Sequence, residues 1–461
     1  MLKVYSPFDN HLIKEFPYSD WKSIDNALDI SYDLYKDISK HIPPYKRIEI
    51  LENLIELMKQ NAEELTLTAA EEGGKPYIDS KIEVNRAING VKLAIDSIGN
   101  MKGEQIPMGH TLSSMNRLAF TVREPIGVVA SISAFNHPIN LIVHQVITAI
   151  AAGCPVLIKP ALTTPVSCIK LIDLLYEAGL PKEWCKVIIC TDDIAEKLAT
   201  DRRVNYLSFI GSAKVGWYLR SKLPAGTRCA MEHGGVAPVI VERDADISEL
   251  IPALTKGGFY HAGQVCVSVQ RVFIHSDNID NIVNELSHSA NKLIVGNPIE
   301  QETQVGPLIL NKEVDRVEQW VNEAIREGAK LISGGKRIGN SCYQPTILLN
   351  PSSNSKVSKF EIFGPVICIY SYDNINNAIS QANCLEFAFQ ASVFTKNIDK
   401  AINISKRLNA AAVMINDHTA FRVDWMPFGG RDSSGIGVGG IKYSINEMTT
   451  EKLIVIKSSE L

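Results

Sequence analysis

The chain has 461 residues, 45% hydrophobic and 21% charged, with 47 Lys+Arg against 51 Asp+Glu. At roughly 150 residues per domain this predicts about three structural units with a large buried core, and the composition excludes a disordered, collagen-like or disulfide-scaffold chain. A net charge of −4 gives no field for gripping nucleic acid, and nine scattered cysteines without a CxxC pair indicate neither a disulfide framework nor a metal site.

The opening MLKVYSPFDN lacks a basic-then-apolar signal pattern, which predicts a cytoplasmic protein. VYSPFDNHLIKEF reads as two short strands around an Asp9-Asn10 turn. Three amphipathic helices are predicted next: 23–40 starting at a Ser, 44–72 stopping at Gly73-Gly74, and 81–98 stopping at Gly99. Residues 104–122 alternate weakly, as a protruding hairpin would. Between Glu124 and Lys159 lie 34 residues without a charge, long enough to cross a bilayer. Pro125, Pro138, Pro155, Asn136, Asn140, His137, His144 and Gln145 within it argue instead for buried soluble core and no membrane partner.

That run divides into strand GVVASI (127–132), a helix opened by Asn136-His137-Pro138, and strand PVLIK (155–159). Such a βαβ unit predicts a parallel sheet with ligands at the carboxyl ends of its strands. Helix 165–178, strand 186–190, helix 192–199 and strand 204–210 continue the alternation. After about residue 235 the pattern restarts with PVIVE, helix 247–262, RVFIH and helix 278–294. Helix 311–328, ICIY, helix 375–382, ASVFT, helix 398–409 and AAVMIN follow, so a second α/β domain is predicted. The tail TEKLIVIK reads as an edge strand.

Several residues have types suited to chemistry. Cys266, in GGFYHAGQVCVSV, follows a helix-like segment, where a helix dipole could lower its thiol pKa and make it nucleophilic. A free Cys is also commonly just a small buried apolar residue. Glu232, in MEHGG, sits at a chain reversal as a base or a capping acid. Asn136 could donate its amide to a developing oxyanion, or cap the following helix. FIGSAKVG (209–216) places Gly211 and Ser212 at a helix start, whose free N–H groups suit a pyrophosphate. Lys159, at a strand end, could reach a ribose hydroxyl.

The ordered string AFNHP, IKP, FIGSAKVG, MEHGG, GQVC, EIFGP, MPFGG and SGIG resembles the aldehyde dehydrogenase superfamily from end to end, including gaps of 34 residues from Glu232 to Cys266 and 95 from Cys266 to Glu361. The resemblance implies an α/β fold: a Rossmann-like cofactor domain (1–103 and 123–234), a catalytic α/β domain (235–428), and a small β oligomerisation flap (104–122 and 429–461). It assigns the nucleophile to Cys266, the general base to Glu232 and the oxyanion amide to Asn136. The cofactor would meet Lys159, Gly211, Ser212, Glu361 and Phe363, with Ala134 and Phe135 lining its site. The implied reaction oxidises an aldehyde to its acid through a cysteine thiohemiacetal and thioester, with NAD or NADP as cofactor. Members that pass the acyl group to coenzyme A lack the base, so Glu232 favours hydrolysis.

Three positions depart from the pattern. Leu162 stands where the family commonly has a ribose-binding Glu, which makes NADP possible, although the balance leans slightly to NAD. The Gly-rich turn before FIGS is shortened to KVIICTDDIAEKL, and His233 replaces a small or aliphatic residue. Near the implied mouth, Arg86, His137 and Arg422 could hold an anionic tail, pointing to a short anionic or hydroxylated aldehyde similar to the phosphonoacetaldehyde-type and lactaldehyde-type substrates. Competing readings are a broad dehydrogenase of short aliphatic aldehydes, a cofactor-independent thiol esterase, and a silent structural member. Retained Cys266, Glu232, Asn136, Glu361 and Phe363 argue against the last two. The unpaired terminal strand predicts a homodimer or homotetramer.

Overall fold

In the computed structural model, which describes residues 1–461, the uncharged run contains the parallel strands Val128–Ile132 and Val156–Lys159. Every residue of both strands is buried, as continuous apolar strands covered on two faces must be. The intervening helix starts at Asn140, later than the sequence predicted, and Asn136 does not cap it. The Glu83 carboxylate does so from a distant helix, accepting the Ile139 and Asn140 N–H groups at 2.9 and 3.0 Å. Charge on Glu83 is balanced by the buried Lys75 ammonium beside it. A π-helical turn at Val143–Ile147 interrupts this helix.

These strands sit in a six-stranded sheet ordered (435–436), (228–232), (204–210), (128–132), (156–159), (185–187). Its five longer strands are parallel, and Gly435–Ile436 pairs antiparallel with Glu232 and Met231. The chain runs outward from the strand Val128–Ile132 in one direction, then returns to add Val204–Ile210 on its other side. This is a topological switch point, where carboxyl-end loops part and leave a crevice. The second sheet has seven strands in the order (330–333), (346–349), (366–372), (271–275), (238–241), (390–394), (412–415). All its pairs are parallel except the edge strand Lys330–Ser333. Each sheet has its own apolar cluster, one around Val239, Val272 and Ile367, the other around Leu54, Val91 and Val146.

A third sheet joins Arg117–Pro125 to Thr449–Lys457 along their whole length, with Gln105–Ile106 on the far side. Of the segment 429–461, only this last strand lies in that sheet. The Gly435–Ile436 strand belongs to the six-stranded sheet, and Ile441 and Ile445 of the helix Ile441–Glu447 are packed in the apolar cluster around Val91.

Local chemistry accounts for two shifted boundaries. The first helix is Trp21–Lys36, because Asp20 rather than Ser23 caps it, accepting the Ser23 N–H at 2.8 Å. The predicted 44–72 helix is two, Pro44–Gln60 and Ala62–Gly73. At the break, Asn61 turns its side-chain amide back onto the Leu57 carbonyl at 2.8 Å, competing with the backbone ladder.

Glu72, near the end of the second of these helices, is fully buried and accepts the Val166 and Ser167 N–H groups at 2.8 and 2.7 Å, anchoring the helix Pro165–Glu177. Burial outweighs these hydrogen bonds and pushes its carboxyl up to about 7. The folded chain therefore holds a proton that the unfolded chain releases near the ordinary carboxyl value. Stability from this group is complete at lower pH and declines as pH rises toward 7, by at most about 1.4 kcal/mol per pH unit. Thermal melts from pH 5 to 7.5 should show Tm falling for the native chain, with a flatter profile for Glu72→Gln. Parallel profiles for the two proteins would refute the assignment.

Candidate active site

One crevice of about 1160 Å³ opens between the two large sheets and is lined by all thirteen residues singled out from the sequence. The six-stranded sheet delivers its share by a single rule: they sit at the carboxyl ends of its strands. Lys159 ends Val156–Lys159, Glu232 ends Arg228–Glu232, Gly211 and Ser212 follow Val204–Ile210, and Ala134, Phe135 and Asn136 follow Val128–Ile132. Ser212 is the N-cap residue of the helix Ala213–Arg220, whose first N–H groups start at the crevice wall. His233 donates from Nδ1 to the Gly211 carbonyl (3.1 Å) and lies edge-on to Phe209 and Trp217.

The other half brings Cys266 and Glu361 on loops that precede the neighbouring strands Arg271–His275 and Val366–Tyr372. Those loops are locked together at Gly263. Its φ is +70°, and a Cβ there would meet the Gly364 carbonyl oxygen at 2.1 Å. Gln264 braces the cysteine loop further, accepting the Ile309 N–H (2.9 Å) and donating to the Pro307 carbonyl (3.2 Å). Asn136 donates one amide hydrogen to the Gln264 carbonyl at 3.0 Å, which holds it against the cysteine loop and leaves its second N–H free. Phe135 and Phe363 meet edge to face at 5.8 Å across the crevice.

Electrostatics at the centre differ from the sequence expectation for the thiol. Cys266 is in a loop, not at the start of a helix, so no dipole lowers its pKa. Burial pushes the thiol up instead, and the carboxylates of Glu361 and Glu232 add to this, while the Arg422 guanidinium pulls down. Burial also raises Glu232 above the usual carboxyl range, against the pull of Arg422. Glu361 is pushed up to about 8 by burial and accepts the Gly235 N–H at 3.3 Å. Its carboxylate occupies the space a side chain at Gly234 would need, since a Cβ there would lie 1.9 Å from Glu361 Oε1.

Of the three candidate cations, two are not available as charges. Arg86 is held by Asp424 through two hydrogen bonds of 3.0 and 2.8 Å. His137 shares a 3.1 Å hydrogen bond with the Tyr260 hydroxyl, and burial reinforced by Lys75 and Arg86 drives its pKa well down, so the ring is neutral. Arg422 remains. It has no hydrogen bond or ion pair within the chain, its Nε is buried without a partner, and its guanidinium lies 3.6 Å over the Phe428 ring.

The family model described as "Aldehyde dehydrogenase family" matches residues 1–454. The chain belongs to this family. A 3-sulfolactaldehyde dehydrogenase of Priestia aryabhattai is 41% identical over 424 residues, covering 91% of this chain and 88% of that protein. A lactaldehyde dehydrogenase of Methanocaldococcus jannaschii is 36% identical over 461 residues, covering 99% and 97%. The crystal structure of glyceraldehyde-3-phosphate dehydrogenase GapN from the same organism, complexed with NADP, superposes with a TM-score of 0.95 at 35% identity, covering 99% of both chains. The chain is therefore an NAD(P)-dependent aldehyde dehydrogenase. No helix is long and apolar enough to cross a membrane.

This dehydrogenase has room for its dinucleotide. The crevice exceeds the ~300–1,000 Å³ usual for small-molecule pockets. The free N–H groups of the helix Ala213–Arg220 suit a pyrophosphate, and the side-chain-free Gly234 lets Glu361 reach into the same space.

Asp424 went unnoticed in the sequence. It gathers Arg86, Asn140 (3.1 Å) and His144 (2.8 Å) and so fixes the loop that carries Arg422. Burial alone would raise its pKa, but hydrogen bonds from His144 and Arg86 outweigh that and hold it far below the usual range. The available signal was an acid two residues after Arg422, within the aromatic loop FRVDWMPF.

Proposed function

We propose that this dehydrogenase oxidises a short aldehyde bearing an anionic or hydroxyl group to its carboxylic acid, with Arg422 holding the substituent. The observation that carries this reading is a guanidinium in the crevice with no hydrogen-bond or ion-pair partner in the chain, beside the candidate nucleophile and base. Arginine's planar fork matches sulfonate, phosphonate or carboxylate. The similarity to dehydrogenases of 3-sulfolactaldehyde and lactaldehyde supports the same class.

In this reading the Cys266 thiol passes its proton to Glu232 as its sulfur bonds to the aldehyde carbon. The developing alkoxide takes hydrogen bonds from the free Asn136 N–H and the Cys266 backbone N–H. When bound, NAD or NADP accepts the hydride that turns this adduct into a thioester. Glu232 gives that first proton up to solvent, then removes a proton from water as it attacks the thioester carbon, and passes it to the departing Cys266 sulfur, releasing the acid and restoring the thiol. Lys159 and Ser212 hold the dinucleotide at one end, and Glu361 and Phe363 at the other. NAD is the proposed preferred partner. The edge strand Thr449–Lys457, with Leu453, Val455 and Ile456 exposed, is the proposed contact of a homodimer or homotetramer.

Replacing Arg422 by Ala tests the substrate. Losing a charge-assisted contact should raise KM for sulfonated or carboxylated aldehydes by roughly 10- to 100-fold. Propanal turnover should change only a few-fold, and Lys at the same position should restore part of the loss. Equal damage with propanal and with anionic aldehydes would rule this reading out.

A further inference from the structure

The crevice is acidic where it meets the helix Asp192–Ala199. Among its lining residues between 132 and 234, Lys159 is the only Lys or Arg, whereas Asp192, Asp193 and Glu196 all take part. Glu196 is engaged by Lys222 and Tyr218. Asp192 is not: its side chain is 99% exposed, makes no hydrogen bond within the chain, and has Lys159 Nζ 3.8 Å from Oδ1. Leu162 meanwhile packs into the small apolar cluster of Leu2, Val4, Val166 and Ile189. Three residues beyond Ile189 the chain reaches Asp192, the first residue of the helix that follows the strand Cys185–Val187, next in the sheet to Val156–Lys159.

We infer that Asp192 supplies, from a different strand, the acid that Leu162 lacks, accepting a hydrogen bond from the adenosine ribose diol at Lys159 and selecting NAD over NADP. The inference rests on the proposed placement of the dinucleotide, with its adenosine ribose at Lys159. A carboxylate beside the lysine ammonium complements a neutral diol, which donates to the acid and accepts from the base. A 2′-phosphate at that place would meet Asp192 and Asp193 with one lysine to offset them, and that lysine already faces Asp192. At separations of several ångströms, shorter than the ~8 Å screening length of physiological salt, each such carboxylate disfavours a phosphate dianion on the order of tenfold even in a water-like dielectric.

Isothermal titration of the full-length protein with NAD+ and with NADP+ separately, no aldehyde being present, reads the selection directly. The native protein should bind NAD+ at least tenfold more tightly. Asp192→Asn, which removes the charge but keeps hydrogen-bonding groups, should strengthen NADP+ binding about tenfold and leave NAD+ within threefold. Asp192→Ala should also weaken NAD+ several-fold. Because the side chain is exposed, unchanged melting temperatures are expected, and Leu162→Glu provides an independent variant in which discrimination against NADP+ should widen. An unchanged NAD+ to NADP+ ratio in Asp192→Asn, with normal NAD+ affinity, overturns the role of Asp192. So does a native preference for NADP+. If neither dinucleotide binds the native protein, the placement of the cofactor fails and the inference fails with it.

Discussion

Cys266→Ala should lower aldehyde-dependent reduction of the dinucleotide by at least ~10⁴-fold, because no other thiol lines the crevice to form the proposed thioester. The other eight cysteines are no substitute. Six are buried, and burial raises the thiols of Cys154, Cys168, Cys185, Cys190, Cys342 and Cys368. Cys229 and Cys384 are the remaining two, and neither lines the crevice. The variant should keep its melting temperature and its dinucleotide affinity, since Cys266 only borders the dinucleotide's space. The raised thiol carries a second expectation. Alkylation of Cys266 by iodoacetamide, followed by peptide mass spectrometry, should accelerate continuously with pH through pH 9, with exposed Cys384 as internal reference. A plateau near pH 7 would mean the resting thiolate is already formed, and the opposition of two carboxylates to one guanidinium would not govern it.

That opposition marks the boundary between what was legible in the sequence and what was not. The alternation of buried strands and amphipathic helices located both sheets, because a covered parallel strand must be continuously apolar and short. Strand ends then located Lys159, Gly211 and Glu232, since the carboxyl ends of a parallel sheet share one side. The edge strand Lys330–Ser333 and its neighbour Thr346–Leu349 escaped notice. The charge state of Cys266 also escaped, because it depends on Glu361 and Arg422, 95 and 156 residues further along. Arg86 looked like a free cation because its partner, Asp424, is 338 residues away. Likewise Glu83 capping Ile139 and Asn140 made Asn136 unnecessary as a cap and left it free to face the cysteine loop. Local pattern fixes which residues are near a strand end. Which charges are spoken for is a tertiary property.

Glu232→Gln is the second large effect, and it separates the two half-reactions. Gln keeps the shape and some hydrogen bonding of Glu232 but cannot accept a proton, so the proposed hydrolysis of the thioester loses its base. Steady-state turnover should fall by about 10²- to 10⁴-fold. The first half-reaction should survive more slowly, giving a burst of reduced cofactor that approaches one equivalent per active site. Intact mass measurement after the burst should find the acyl group on Cys266. The native pH profile of turnover should carry a limb that rises with pH, its midpoint above the ordinary carboxyl value, because burial favours the protonated acid and Arg422 only partly offsets it. Removing that guanidinium in Arg422→Ala should move the limb to higher pH, and in Glu232→Gln the limb should vanish. Turnover within tenfold of native in Glu232→Gln, with no acyl-enzyme accumulating, would transfer the base role elsewhere. Glu361, pushed up to about 8 and exerting its charge on the same thiol, is then the carboxylate to test.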